Sequence, residues 1–177
     1  MNILVFSDSH GRVLDMFNLV ENLSPDAVIH LGDYDEDAQD LRRSYPDLTV
    51  YSVRGNNDYG SDSPWFSVVT LEGVKFYLTH GHREGVVWTS CGNIAEHAKK
   101  FDCSIALYGH THCANHVIDD DIHIFNPGSI SLPRQGVASC LSLEIQDGKL
   151  IDAVFLNTDG EPISLTKQKN KSKFRWF

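Results

Sequence analysis

The feature that most constrains this chain is a series of short apolar runs, each followed by polar side chains that can bind a metal. The first run, Ile3–Phe6, leads into the sequence Asp8–Gly11. A short, partly β-branched run that is closed by glycine predicts a buried strand rather than a helix. Asp8 and His10 would then converge where the strand ends. An oxygen donor and an imidazole nitrogen placed there form half of a metal site.

Four later segments repeat this pattern. The further donors are Asp33 after Ala27–Leu31, Asn56 after Thr49–Val53, His80 after Val74–Leu78, and His110 and His112 after Ile105–Tyr108. Carboxylate, carboxamide and imidazole groups without a thiolate suit manganese, iron, zinc or nickel better than copper(I) or an iron–sulfur cluster. Seven side chains are too many for one ion. We therefore predict a dinuclear centre.

If Asp33 bridges the two ions, the other donors divide into two sets. The first set is Asp8, His10 and His112, and the second is Asn56, His80 and His110. Two ions about 3.5–4 Å apart can stabilise both the attacking and the leaving oxygen of an in-line displacement at phosphorus. Neutral imidazoles and a neutral amide keep such a site net positive, which favours a phosphate. The sequence therefore predicts hydrolysis of phosphate esters.

Each donor also has a plainer interpretation. A single histidine is usually structural or on the surface, and we leave His30, His97, His116 and His123 in that class. An isolated D-x-H or G-D sequence occurs by chance, whereas G-H-x-H after a strand is more specific. The argument for a metal centre rests on all five motifs occurring in this order, each after an apolar run.

The predicted elements indicate an α/β fold. Helices are predicted at Val13–Leu23, Asp35–Tyr45 and Cys91–Lys100, and hairpins at Phe66–Leu71 with Val74–Leu78 and at Ser139–Ile145 with Leu150–Leu156. The early part alternates strand and helix, while the later part is mostly hairpins. This mixture predicts a four-layer α/β/β/α sandwich of two mixed sheets flanked by helices.

Length and charge limit the domain organisation and the partners. The 177 residues, 41% of them hydrophobic, suit one domain at 1–166 followed by a basic tail at 167–177. We interpret the tail as a solvated end, the alternative being contact with an anionic ligand or another subunit. The formal net charge is −9, so that we expect no long nucleic acid as a partner.

Composition also bears on the compartment. No apolar run approaches the length of a membrane span, and no secretory signal is recognisable, so that we expect no membrane partner. The four cysteines, Cys91, Cys103, Cys113 and Cys140, are scattered without a C-x-x-C pair, which favours reduced thiols. The sequence thus predicts a cytoplasmic enzyme, and it leaves a homo-oligomer open.

The five motifs together resemble the calcineurin-like metallophosphoesterase superfamily, most closely its small bacterial and archaeal phosphodiesterase branch. The sequence Asn126–Ser129 is also similar to that branch. The resemblance implies a four-layer sandwich, two divalent metals and attack by a metal-bridging hydroxide. Manganese is the expected metal, with zinc, iron or nickel as alternatives. The resemblance also implies two metal sites. One ion would be held by Asp8, His10, Asp33 and His112, and the other by Asp33, Asn56, His80 and His110.

One position departs from the family pattern. Many members have a histidine where this chain has Asn57, and that histidine is thought to stabilise charge or to protonate the leaving group. An amide cannot act as a general acid near neutral pH. The small phosphodiesterase branch also tends to lack this histidine, so the departure favours that branch. His82 is an alternative candidate for this role, and Asp58 is expected to orient a neighbour by hydrogen bonding.

The predicted function is therefore a metal-dependent phosphodiesterase that acts on a small phosphate ester. The alternative is a non-catalytic scaffold or protein-binding module, because relatives such as the retromer scaffold subunit are thought to work through protein contacts. The presence of every expected ligand counts against this alternative. A protein phosphatase or a nuclease would need a substrate-binding surface, and the sequence does not reveal one.

Overall fold

The computed structural model describes residues 1–87 and 90–165. Ten strands and three helices make up this part of the chain. In chain order they are β1 (Asn2–Phe6), α1 (Leu14–Leu23), β2 (Ala27–His30), α2 (Asp35–Ser44), β3 (Thr49–Ser52), β4 (Phe66–Leu71), β5 (Val74–Thr79), α3 (Ile94–Lys100), β6 (Ile105–Leu107), β7 (Asn115–Asp119), β8 (Ile122–Asn126), β9 (Ser139–Gln146) and β10 (Lys149–Asn157).

The strands form two mixed sheets of five strands each. The first sheet has the order β10-β9-β1-β2-β3, and the second has the order β4-β5-β6-β8-β7. In the first sheet β1, β2 and β3 are parallel, and in the second β5, β6 and β8 are parallel. Parallel neighbours end at the same edge of a sheet. The segments that follow these six strands therefore leave from two common edges.

Three apolar layers hold the sheets and helices together. The alternation along β1 shows how, because successive side chains point to opposite faces of a strand. Val5 belongs to the cluster between the two sheets, whereas Phe6 packs with Met16 of α1 on the outer face of the first sheet. On the other side, Ile94 of α3 packs against the outer face of the second sheet. The predicted α/β/β/α sandwich is confirmed.

Element boundaries differ from the prediction at several ends. The third helix begins at Ile94 rather than at Cys91. Two leucines of α1 do not share its apolar face, since Leu14 is 70% exposed and Leu23 is 41% exposed. A period of 3.6 residues places Leu14 opposite the buried Met16, so that only part of the apolar sequence reaches the core.

The predicted basic tail, 167–177, lies outside the described residues. The four cysteines carry free thiols. Among the described residues, no helix combines the length and the apolar character that crossing a bilayer requires.

Gly32 forms the tight turn that leads from β2 to Asp33. Its φ is +92°, a conformation that glycine adopts without steric cost. A Cβ atom on this residue would collide with the backbone of Arg54 and Gly55, which follow the neighbouring strand β3. The carboxyl ends of β2 and β3 can therefore approach closely only because residue 32 lacks a side chain.

We expect Gly32→Ala to lower the free energy of unfolding by about 2–5 kcal/mol, combining strain at positive φ with backbone overpacking. Gly60→Ala is the matched control, because Gly60 has a φ of +77° but open space around it. Its free energy of unfolding should fall only by the contribution of the strain, about 1–2 kcal/mol. Urea unfolding of both variants measures the difference, and equal losses would contradict the close backbone approach.

Candidate metal centre

The ends of the parallel strands bring the predicted metal donors to one cleft between the sheets. Asp8 and His10 follow β1, Asp33 follows β2, Asn56 follows β3, His80 follows β5, and His110 and His112 follow β6. Each donor lies against at least one other donor from a different segment. Residues that are as much as 102 positions apart in the chain, His10 and His112, are in contact through their Nε2 atoms at 3.3 Å.

Four of the donors form the first group. One ligand atom from each of Asp8, His10, Asp33 and His112 lies within 4.8 Å of the other three. Asp8 and Asp33 are buried, with 0% and 2% of their surface exposed. Buried carboxylates are normally paired or bound to a metal. The first group therefore fits a cation by its chemistry and its spacing.

The remaining donors surround His80. Its Nε2 lies 3.2 Å from Asn56 Oδ1 and 3.4 Å from Asp33 Oδ1. The ring centroids of His80 and His110 are 5.2 Å apart. Asp33 thus lies close to both groups of donors, and it is nearer to His80 than Asp8 is, whose Oδ1 lies 3.9 Å from His80 Nε2.

Hydrogen bonds to backbone carbonyls fix which ring nitrogen faces the cleft. His112 Nδ1 lies 2.7 Å from the Leu132 carbonyl, and His80 Nδ1 lies 2.7 Å from the Leu31 carbonyl. Because a carbonyl can only accept, each Nδ1 carries the proton. In the neutral ring Nε2 then carries a free lone pair, and this is the form of histidine that ligates metals.

These lone pairs face carboxylate oxygens. His112 Nε2 lies 3.2 Å from Asp8 Oδ1, and this oxygen is buried without a hydrogen-bond partner among the described residues. The contact with Asp8 raises the pKa of His112, because a proton on Nε2 would satisfy the oxygen. A divalent cation satisfies both atoms in the same way. The residues therefore fit a metal.

Electrostatics favour the ligating forms of Asp8 and His110. Burial acts to raise the pKa of Asp8, but contacts with His112, His80 and the Ser7 hydroxyl outweigh burial and hold it below its usual value. Burial lowers the pKa of His110, and His80 acts in the same direction. The cleft thus combines an ionised carboxylate with a neutral imidazole.

The backbone at these donors is strained. Five of them adopt a positive φ: Asp8 (54°), His10 (50°), Asp33 (54°), His110 (68°) and His112 (57°). A non-glycine residue in this region costs about 1–3 kcal/mol and persists only where the surroundings enforce it. Such residues are concentrated at functional sites. The strain turns the side chains back into the cleft immediately after each strand.

Asp58 enforces the conformation around Asp33. Its carboxylate accepts backbone N–H groups from Asp33 (3.0 Å), Tyr34 (2.6 Å), Asp35 (2.8 Å) and Gly55 (2.7 Å). These groups include the start of α2, where free N–H groups and the helix dipole favour a negative charge. Asp58 therefore fixes the loop after β2 to the loop after β3.

Asn57 contacts Asp33 directly. Its side-chain Nδ2 donates to Asp33 Oδ2 at 2.6 Å, and its backbone N–H donates to Asp33 Oδ1 at 3.0 Å. His82 lies on the other side of the cleft, with its ring centroid 5.4 Å from that of His80. Burial lowers the pKa of His82, and His80 adds to the effect. All three residues predicted to act beside the metal ligands thus border the cleft.

The structure adds residues that the sequence did not single out for a role. Ser129 donates its hydroxyl to the Asp8 carbonyl at 2.7 Å, and Asn126 donates its amide to the Gly109 carbonyl at 2.8 Å. The sequence signal for both is the N-P-G-S motif, whose function the spacing alone did not reveal. Arg134 is a third supporting residue, since its backbone N–H donates to the His112 carbonyl at 3.0 Å. No motif indicated Arg134.

Comparison with known proteins places this geometry in a family. The model of the calcineurin-like phosphoesterase superfamily domain matches residues 1–148. The probable metallophosphoesterase YsnB of Bacillus subtilis is 32% identical over 137 residues, which cover 76% of this chain and 78% of YsnB. A crystal structure of a conserved protein from Streptococcus pneumoniae, described as a predicted phosphoesterase, is 31% identical, covers 92% of each chain and superposes with a TM-score of 0.76.

A third relative carries a more specific name. Phosphodiesterase YfcE of Escherichia coli is 32% identical over 117 residues, 61% of this chain and 58% of YfcE. Its solved structure covers 87% of this chain and 98% of YfcE with a TM-score of 0.64. The sandwich fold, the strand-end donors and these matches agree, and the chain belongs to the calcineurin-like phosphoesterase superfamily.

Proposed function

We propose that this protein is a phosphodiesterase that works with two divalent metal ions, manganese first among them. The observation that carries the proposal is the contact of buried carboxylates with imidazole lone pairs at Asp8–His112 and Asp33–His80. The family supports a phosphoric ester hydrolase. The name of YfcE supports a diester as the substrate.

The donors divide between the ions as their contacts suggest. We assign Asp8, His10, Asp33 and His112 to one ion and Asp33, Asn56, His80 and His110 to the other. Bound there, the two ions would supply Lewis-acid stabilisation and an activated water for in-line attack on phosphorus. Asn57 then orients the shared carboxylate of Asp33, and Asp58 holds the loop on which Asp33 lies.

The residues around the cleft favour a diester with a good leaving group. The amide of Asn57 can donate a hydrogen bond but cannot transfer a proton near neutral pH. A missing general acid commonly costs about 10²–10⁴ in rate, and the loss is smallest when the leaving group needs no proton. We place His82 as a hydrogen-bond donor to the substrate, because its ring lies beside those of His80 and His110.

A non-catalytic scaffold on the same fold is the second candidate. A scaffold has no use for a complete set of donors or for strained backbone that aims them into one cleft. All seven predicted donors meet in the described part of the chain, and five of them have positive φ. The geometry therefore favours the enzyme, and ester hydrolysis by the metal-loaded protein distinguishes the two candidates.

With manganese added, the protein should bind two ions per chain and hydrolyse bis(p-nitrophenyl) phosphate. Asp33→Ala should lower kcat/KM by about 10³-fold or more, because several kcal/mol of transition-state stabilisation are lost with the shared ligand. Asp47→Ala, at an exposed aspartate outside the cleft, is the control. Full activity of Asp33→Ala would refute the mechanism. A wild-type protein that takes up neither manganese nor zinc would favour the scaffold.

Asn57→His should raise phosphomonoester turnover relative to diester turnover by about tenfold or more, because an imidazole can protonate a poor leaving group. The ratio of kcat/KM for a phenyl phosphomonoester and its methyl diester measures this effect. Asn57→Ala is the control, since it also removes the hydrogen bond to Asp33 but adds no acid. A ratio that rises equally in both variants would show that the lost amide, not the added imidazole, sets the preference.

Asp58→Asn should weaken manganese binding about 10- to 100-fold, because the four backbone N–H groups that fix the Asp33 loop lose their carboxylate. Calorimetric titration of the metal-free protein measures the affinity. Asp62→Asn is the matched control, an exposed aspartate four residues further along the same loop. Equal affinities in the two variants would contradict a positioning role for Asp58.

A further inference from the structure

A cavity of about 420 Å³ has Trp65 in its wall and contains none of the proposed metal ligands. Trp65 connects the cavity with these ligands, because its ring centroid is 5.5 Å from that of His82, which in turn lies 5.4 Å from that of His80. A volume of a few hundred cubic ångströms suits a small organic group. An ester bound at the metals could therefore extend one of its two organic groups over His82 into this cavity.

The wall of the cavity is aromatic. Trp65, Phe66 and Phe101 leave 37%, 45% and 39% of their surface exposed, whereas phenylalanine is among the residues most often fully buried. Phe66 and Phe101 are held in place by the buried Tyr77, with ring centroids at 5.7 and 6.1 Å. This wall offers flat apolar surface to a planar group. Nucleobases stack on such surfaces.

The rim of the cavity is basic, in a chain whose net charge is −9. Arg83 and Lys100 line the cavity, and the Arg83 guanidinium carbon lies 4.9 Å from the Trp65 ring centroid. The Arg54 guanidinium carbon lies 3.7 Å from the same centroid but does not line the cavity. Arg83 is exposed and forms no ion pair with a carboxylate in the described part of the chain. Guanidinium and aromatic groups side by side are typical of surfaces that bind nucleotides.

A carboxylate in the wall of the cavity has one buried oxygen without a hydrogen-bond partner among the described residues. Glu84 lines the wall, and its side chain is only 6% exposed. Its Oε1 accepts the Tyr77 hydroxyl at 3.1 Å, but its Oε2 has no hydrogen-bond partner among the described residues. A buried carboxylate oxygen without a donor is costly. The edge of a nucleobase carries N–H donors, whereas a plain alkyl or aryl group carries none.

We propose that this cavity binds the nucleoside of a phosphodiester substrate, with its base against Trp65 and Phe66 and its polar edge on the side of Glu84. This inference rests on the proposed function and names its substrate class, nucleotidyl esters. The cavity has room for one nucleoside rather than for a strand. It therefore agrees with the expectation, from the acidic charge, that long nucleic acid is no partner.

Two substrates with the same leaving group test the proposal. They are the p-nitrophenyl ester of thymidine 5′-monophosphate and methyl p-nitrophenyl phosphate, which differ only in the group that stays on phosphorus. Trp65→Ala should lower the ratio of their kcat/KM values, nucleoside ester over methyl ester, by about tenfold, the size expected for losing one stacked base. Phe66→Ala should lower it in the same direction, and Trp65→Phe should retain most of it.

Tyr59→Ala provides the control, since Tyr59 is 91% exposed beside Asn57 and Asp58 and lines a different cavity. This variant should leave the ratio unchanged. A ratio that is unaffected by Trp65→Ala, or that falls in Tyr59→Ala instead, overturns the proposal while leaving the phosphodiesterase assignment intact. Because only the ratio is compared, a general disturbance of the fold by Trp65→Ala does not imitate the expected result.

A binding measurement separates this proposal from the catalytic one. Thymidine 5′-monophosphate should bind the wild-type protein in EDTA, and calorimetry should show an approximately tenfold higher Kd for Trp65→Ala. If neither ester is cleaved with manganese or zinc but this binding is found, the subsite stands and the proposed function fails. Absence of Trp65-dependent binding in EDTA overturns the subsite.

Discussion

The carboxylates of Asp8 and Asp33 are buried among imidazole nitrogens whose lone pairs face them. Removing a carboxylate from water costs several kcal/mol, and a lone pair offers it nothing in return. Carbonyl groups fix the opposite nitrogen of His80 and His112 as the protonated one, so the rings cannot relieve the conflict by exchanging tautomers. Hydrogen bonds from Ser7, the His110 backbone and Asn57 satisfy part of these carboxylates, and the oxygens that face the imidazoles favour a cation between them.

The two sheets make this arrangement geometrically accessible. Six parallel strands end at two facing edges, but an extended chain leaving a strand would carry its side chains past the cleft. Positive φ at Asp8, Asp33 and His110 reverses the chain direction at once. The cost of this strain is met by hydrogen bonds from other segments, in which Ser129 fixes the carbonyl of Asp8 and Asp58 fixes the loop of Asp33. Stability and site geometry thus depend on the same contacts.

The sequence predicted the strands and the donors that follow them, but not the side chains that support these donors from other segments. A buried parallel strand appears in the sequence as a continuous apolar run, and the metal donors follow it directly. Strands such as Ile3–Phe6 and the layered architecture could therefore be predicted from the sequence. Ser129 and Asp8 are 121 residues apart, and no pattern along the chain links them. The aromatic and basic groups of the cavity beside Trp65 are likewise scattered along the chain from Trp65 to Phe101. For that reason the sequence revealed no such surface, whereas the folded chain brings these groups together in the cavity that we propose as a nucleoside subsite.

The cavity beside Trp65 is relevant to the missing general acid. An enzyme with Asn57 instead of a proton donor must stabilise the leaving group by other means. Binding energy from a remote part of the substrate can be used to orient the reacting phosphate, in which case a truncated substrate loses kcat and not only affinity. A nucleoside held against Trp65 would fix one side of the phosphodiester, while His82 lies between that ring and the metal ligands. Under this proposal the cavity would select the substrate and would also compensate, through orientation, for the proton that Asn57 cannot supply.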